Sequence, residues 1–261
     1  MALRRTLVPL LFLCALAAGC GGSERPAARA AVVHAPIAWD GPLGHGPDTY
    51  WLVHPRAHAK AIVIFLHGLG GPQEEMPVNH RRWVEHLAAS GDAVIYPRYE
   101  VGGGDPGALL HVFPAVRAGM KKLHANKLPV VAVGYSRGGH LAVEYAATAY
   151  GRGPLPNAVV AVFPEIVGPT ELRPSFADLD PRTSIQLWIG DKDTGPRGDG
   201  ARELLKRLEA VGFPAGRVSL HVVHSHGKFV ADHLSVLDST PAAQAAFWAP
   251  LDRIVARYAT S

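Results

Sequence analysis

The sequence predicts an α/β fold: a mostly parallel central sheet of about seven to eight strands, helices on both faces, and no large cap domain. Three observations predict it. Short apolar runs recur along residues 39–261 without strict polar alternation, as expected of strands buried on both faces. Amphipathic stretches of helical length separate these runs. Gly and Pro sit where such helices should begin and end.

In chain order, the strand candidates are residues 61–67 (AIVIFLH), 93–99 (AVIYPRY), 130–135 (VVAVGY), 158–164 (AVVAVFP), 185–190 (IQLWIG) and 218–224 (VSLHVVH). Residues 49–53 and the segment around Val33 add leading antiparallel edge strands. Helices are expected over 78–89, 106–124, 138–149, 199–211 and 241–258. Pro106 and Pro241 suit a first helical turn, and Gly91 and Gly212 stand just past helix ends. The connection 166–183 carries Pro169, Pro174 and Pro181, which disfavour a helix. It is too short for a cap domain, so a site beside it should be open.

Composition bounds the function classes. Of 261 residues, 48% are hydrophobic and 18% charged, a balance that can bury a core. The net charge of +4 is spread along the chain, with no stripe of Lys and Arg interleaved with aromatics. A nucleic-acid partner is therefore not expected. Arg4 and Arg5 open a leader in which residues 6–18 are apolar but too few to span a bilayer comfortably. The leader ends in Leu16-Ala17-Ala18-Gly19-Cys20, which resembles the lipobox of bacterial lipoproteins, although Ala17 stands where Leu is commonest. That resemblance implies a signal peptide over 1–19, cleavage before Cys20, acylation of Cys20 and a tether over 20–38. An ordinary secretory signal is the alternative; either way the protein is expected to be exported, with membrane contact through the lipid anchor only. The two cysteines, Cys14 and Cys20, both fall in this region. The folded part therefore has neither disulfide, thiol nucleophile nor thiolate metal site.

The run Val130-Val131-Ala132-Val133-Gly134-Tyr135-Ser136-Arg137-Gly138-Gly139-His140 holds G-x-S-x-G between an apolar strand and an Ala-rich helix. A serine on so sharp a strand-to-helix turn takes strained backbone angles, and the positions two residues to either side need Gly for lack of room. The turn lifts the hydroxyl above the sheet edge at a helix N-terminus, whose free N–H groups can steady an oxyanion. Upstream, His67-Gly68-Leu69-Gly70-Gly71 closes another buried strand and is similar to the H-G-x-x-G loop of lipases and esterases. With both motifs, residues 39–259 resemble the α/β-hydrolases, and Ser136 is the nucleophile that the resemblance implies. It also implies that the backbone N–H groups of Leu69 and Arg137 form the oxyanion hole, with His67 orienting the loop. Such donors are worth about 3 kcal/mol each to a transition state.

The family order is Ser, acid, His. The acid should follow the strand after the long connection, where Asp191 and Asp193 stand; the resemblance favours Asp193, with Asp191 as the alternative. Among His221, His224, His226 and His233, the last two lie beyond the final strand, where the family carries its base. His233 is preferred for its Asp232-His233-Leu234-Ser235 context and His226 stays open. The implied activity is hydrolysis of small or polymeric carboxylesters through an acyl-enzyme, without cofactor or metal. The S-R-G-G elbow and small connection look like the cutinase-like, polyester-hydrolase and chlorophyllase-like side of the family. Alternatives are a serine peptidase of the same fold, whose usual propeller or cap is absent, and a non-catalytic lipid-anchored binding protein. The spacing of His226, Asp232 and His233 departs from the H-x-H-x-D-H zinc pattern. A monomer is the default.

Overall fold

The computed structural model describes residues 35–166, 168, 170–172, 174–194 and 198–260. The expected signal peptide, Cys14, Cys20, Val33 and the expected tether up to residue 34 lie outside the described residues. Eight strands, β1 (Ile37–Leu43), β2 (Tyr50–Pro55), β3 (Ile62–Leu66), β4 (Ala93–Pro97), β5 (Val130–Tyr135), β6 (Ala158–Val162), β7 (Ser184–Gly190) and β8 (Val218–Val223), form one sheet in the order β1-β2-β4-β3-β5-β6-β7-β8. Strand β2 runs antiparallel to both neighbours, and all pairs from β4 to β8 are parallel. Every residue of β3, β4, β5 and β6 is buried, which explains their unbroken apolar runs.

The helices are α1 (Pro72–Glu75), α2 (Arg81–Ala89), α3 (Ala108–Lys122), α4 (Arg137–Thr148), α5 (Gly200–Ala210), α6 (Pro241–Ala243) and α7 (Ala249–Ala259). Alternate residues of the strands feed two cores. Ile62, Ile64 and Leu66 face Val112 and Phe113 of α3, Leu141 and Tyr145 of α4, and Leu204 and Leu208 of α5. Val63 and Phe65 face Trp83 and Leu87 of α2 and Leu251 and Ile254 of α7. Burying each such side chain contributes about 1.5–3 kcal/mol.

Several expectations need correction. An outer edge strand lies at Ile37–Leu43, so Ile37 and Ala38 of the expected tether pair with Pro55 and His54. The expected helix over 78–89 begins only at Arg81, because residues 76–80 turn before it. Pro106 stands just before α3, whose N-cap is Gly107, rather than in its first turn. The expected helix over 241–258 is split: a π-helical turn, Gln244–Trp248, separates α6 from α7. The connection after β6 holds a single 3-10 turn, Phe176–Asp178, among the described residues. No helix among the described residues is long and apolar enough to cross a membrane.

Candidate active site

Parallel strands carry their C-terminal ends, and the loops that follow, to one edge of the sheet, and the site forms there. Ser136 follows β5 directly and caps α4 with φ 55° and ψ −124°. A non-glycine residue in this region costs about 1–3 kcal/mol, so the surroundings must hold it. They do so through its backbone: its N–H donates to the Val162 carbonyl, and its own carbonyl accepts from Gly139 at 2.9 Å and Glu165 at 3.0 Å. The glycines make room. A Cβ on Gly134 would stand 2.0 Å from the Gly138 oxygen, and one on Gly138 would stand 2.2 Å from the carbonyl oxygens of Leu66 and His67.

His233 Nε2 lies 3.0 Å from Ser136 Oγ, and His233 Nδ1 lies 3.2 and 3.3 Å from the two carboxylate oxygens of Asp193. Asp193 is buried in the turn after β7, its N–H donating to the Gly190 carbonyl. That turn touches the loop after β8, since the Lys192 N–H donates to Ala231 at 3.1 Å. A Cβ on Gly190 would meet the same Ala231 oxygen at 2.0 Å, so only glycine allows the two loops this close. The other candidates lie elsewhere. Asp191 accepts from the Ser225 backbone and hydroxyl, which holds its carboxyl below the usual range. His226 pairs by backbone with Phe229 and packs its ring against it.

The loop after β3 lies against the serine: a Cβ on Gly68 would be 3.3 Å from Ser136 Cβ. The backbone N–H groups of Leu69 and Arg137 have no acceptor among the described residues. Neighbouring groups are fully engaged, which fixes the loop. His67 is buried, with Nδ1 2.7 Å from the Gly68 carbonyl and Nε2 2.7 Å from that of Arg98. Burial pulls its pKa down to about 4, against two carbonyls that each favour an N–H facing them. The Gly68 N–H donates to Glu74 Oε2, which also receives His80 Nε2 at 2.8 Å, while Asn79 donates to Oε1 at 2.6 Å. Burial alone would raise the Glu74 pKa, but the His80 and Asn79 contacts outweigh it and lower it to about 2. On the other side, the buried Arg137 guanidinium lies 3.4 Å from Glu100 and donates to the Asp105 carbonyl. Glu100 and Glu75 in turn accept from the N–H groups of Gly104 and Gly102.

Sequence reasoning missed three contributors. Tyr135 donates its hydroxyl to the His233 carbonyl at 2.9 Å, tying the residue before the serine to the histidine loop. Glu74 anchors the Gly68 N–H, and no motif in the sequence marks it. Glu165, after β6, brings Oε2 to 3.2 Å from Ser136 Oγ. A cavity of about 700 Å³ borders the histidine loop, lined by Phe229, Val230, Leu234 and Pro241, and Ser136 is not in its lining. Ser136 itself is buried, while Leu69, Val101 and Leu234 are exposed on neighbouring loops.

An eight-stranded, mostly parallel sheet in this order, helices on both faces and a strained serine at the end of β5, defines the α/β-hydrolase fold, and this chain has it. Among similar solved structures are esterase B from Lactobacillus rhamnosis (20% identity, TM-score 0.65, covering 86% of each chain) and a fungal esterase from Rhizomucor miehei (15% identity, TM-score 0.64, 87% of this chain and 85% of that one). A carboxyl esterase from the fungus Tuber melanosporum is similar over 91% of this chain and 89% of its own, with 16% identity and a TM-score of 0.58. No family model and no curated protein sequence matches the chain.

Proposed function

We propose that the protein is a serine carboxylester hydrolase working through an acyl-enzyme on Ser136. The observation that carries this reading is the continuous contact from Ser136 Oγ to His233 Nε2 and from His233 Nδ1 to Asp193, at 3.0, 3.2 and 3.3 Å. His233 takes the hydroxyl proton as Oγ attacks the ester carbonyl. Asp193 holds the imidazole in the tautomer that leaves Nε2 free to accept, and steadies the imidazolium that forms. The Leu69 and Arg137 N–H groups receive the oxyanion. His233 then gives its proton to the departing alcohol, and water repeats the sequence to release the acid. The chemistry as written needs no cofactor.

The similar esterases support an ester substrate, and the one from Lactobacillus rhamnosis is described with a tributyrin phosphonate, which suggests short acyl chains for the first assays. Hydrolysis of p-nitrophenyl acetate, butyrate and decanoate tests the reading. Ser136→Ala and His233→Ala should each lower kcat at least a thousandfold, on the order of what triad removal costs elsewhere. His226→Ala should leave it within about threefold, the scatter of a surface change. A protein inert on every chain length and unlabelled by a fluorophosphonate would sink the proposal.

Export, with a thioether-linked lipid on Cys20, is part of the same proposal and rests on the leader sequence alone. Metabolic labelling with a palmitate analogue should mark the wild-type chain and not Cys20→Ser.

A further inference from the structure

Charges that are scattered along the sequence are sorted by the fold onto opposite edges of the sheet. Three connections turn at the edge where the parallel strands begin: residues 56–61 lead into β3, 123–129 into β5 and 149–157 into β6. They hold Arg56, Lys60, Lys127 and Arg152 and no Asp or Glu, and Lys121 and Lys122 close α3 beside them. All six residues are exposed. Of the carboxylates on this side, Asp92 is buried and Asp40 is taken up by Lys122 at 3.5 Å and His54 at 3.7 Å. Arg56, Lys121, Lys127 and Arg152 pair with no carboxylate among the described residues. At the other edge the signs reverse. Residues 67–80 after β3 and 163–172 after β6 hold Glu74, Glu75, Glu165 and Glu171 and no Lys or Arg.

Two further features mark the basic edge. Tyr150 is 85% exposed and Leu155 37%, both in the connection that holds Arg152. A tyrosine ring suits a boundary with an apolar layer on one side and water on the other. The described chain also enters at this edge: the Ala35 N–H donates to the Ala89 carbonyl at 3.3 Å and the Arg56 N–H to the Pro36 carbonyl at 2.8 Å. Residues 21–34, which join it to Cys20, reach at most about 50 Å. A cavity of about 370 Å³, lined by Arg56, His58, Lys122 and His124 together with Asp40, makes part of this face concave.

We propose that this edge is a docking face for anionic phospholipid headgroups, with Tyr150 at the headgroup level and Ser136 at the far edge of the sheet. It adds a protein surface to the contact expected of the Cys20 lipid, and it borrows from the export proposal only the nearness of a membrane. Each Lys or Arg held within a Debye length of an anionic leaflet strengthens binding about fivefold. The same leaflet repels the carboxylates of the opposite edge, so the domain settles in one orientation. Strand β5 has six residues and spans about 20 Å, which lifts Ser136 by about that distance above the headgroups. Its substrate then arrives from the water rather than from the bilayer.

The test measures partitioning of the full-length Cys20→Ser protein, which carries no acyl group, onto vesicles of phosphatidylcholine alone or with one third phosphatidylglycerol. The apolar run 6–18 contributes alike to both, so the ratio of the two partition coefficients reads the headgroups. At low ionic strength the ratio should be about a hundredfold, the worth of three basic residues at the surface, and it should approach one in molar salt. Arg56→Glu combined with Lys127→Glu should lower it about tenfold or more. Lys192→Glu combined with Lys228→Glu makes the same change in net charge on the Ser136 edge and should leave it within about twofold. Tyr150→Ala should weaken binding to the anionic vesicles while leaving retention on dextran sulfate unmoved. All five positions are exposed, and matching thermal midpoints check that the variants fold. Arg56→Gln with Lys127→Gln serves should the reversals lower the midpoint. A ratio near one, or an equal fall from the two pairs of reversals, overturns the proposal. Retention on dextran sulfate without a preference for anionic vesicles also overturns it, in favour of a soluble polyanion. Ester hydrolysis enters none of these outcomes, so this claim and the hydrolase reading fail separately.

Discussion

Tyr135 does two jobs that its place in the chain makes possible. It precedes a serine whose backbone cannot relax, and its hydroxyl reaches across to the His233 carbonyl at 2.9 Å. Its ring also lies 5.2 Å from the His233 ring, so both the loop and the imidazole are located from the β5 side. It acts through His233 rather than on the substrate, which makes it a positioning residue. Tyr135→Phe keeps the ring contact and loses only the hydroxyl. We expect kcat to fall about tenfold, the worth of one hydrogen bond of ordinary strength, with KM within twofold. A change confined to KM would mean that Tyr135 meets substrate instead. Neither this role nor the contact of Glu165 with Ser136 could be read from the sequence. Ser136 could, because crowding at Gly134 and Gly138 leaves a local signature, whereas a hydroxyl that bonds a carbonyl 98 positions away leaves none.

At the scale of elements, the C-terminal helix supports the histidine loop. The π-helical turn Gln244–Trp248 swings Phe247 into the centre of an aromatic cluster, 5.5 Å from Phe163, 6.2 Å from Phe229 and 6.5 Å from Trp188. Phe163 in turn lies 6.3 Å from the His233 ring. The periodicity of residues 241–258 predicts a single helix, and the extra residue of a π turn does not disturb that pattern enough to show. Phe247 is fully buried, and Phe247→Ala should destabilise the domain by about 3–5 kcal/mol. The more telling readout is activity well below the melting temperature, where kcat should fall as well, because the cavity opens beneath the loop that carries His233. Loss of stability with kcat unchanged would show that the cluster holds the fold alone. The long loop after β8 is also where sequence reasoning left two histidines open. Its path depends on backbone contacts of Ala231 with Gly190 and Lys192, which are tertiary and have no local code.

For the whole molecule, the sheet was legible because its inner strands are buried on both faces and its parallel order collects the ends of β5, β7 and β8 at one edge. Strand β1 was not legible because it has no buried residue and includes Gly41 and Pro42, so no pattern marks it. Burial has a second global consequence, in the response of stability to pH. Burial lowers the pKa of both His67 and His140 to about 4. Their unfolded values are higher, so the stability they contribute is complete above pH 6.5 and is lost as pH falls towards 4. Asp92 and Glu144 are shifted the other way. Burial raises them to about 6 and about 7, with Asp252 adding to the first and Thr170 opposing the second. Their contribution is complete below about pH 4 and is lost as pH rises to those values. Between pH 4.5 and 6.5 the two pairs oppose each other, so the thermal midpoint should change little. Below pH 4 Glu74, held at about 2, takes up its proton and adds its own loss, so the midpoint should drop steeply. Glu144→Gln removes one of the acid contributions. Glu144 also stands 3.6 Å from His140, so the two titrate as a pair. Relative to wild type, the variant should gain stability as pH rises from 4.5 to 7, tilting a flat profile into a rising one. Thermal unfolding of both proteins from pH 3 to 8 checks this, and parallel profiles would mean that Glu144 titrates alike in the folded and unfolded states.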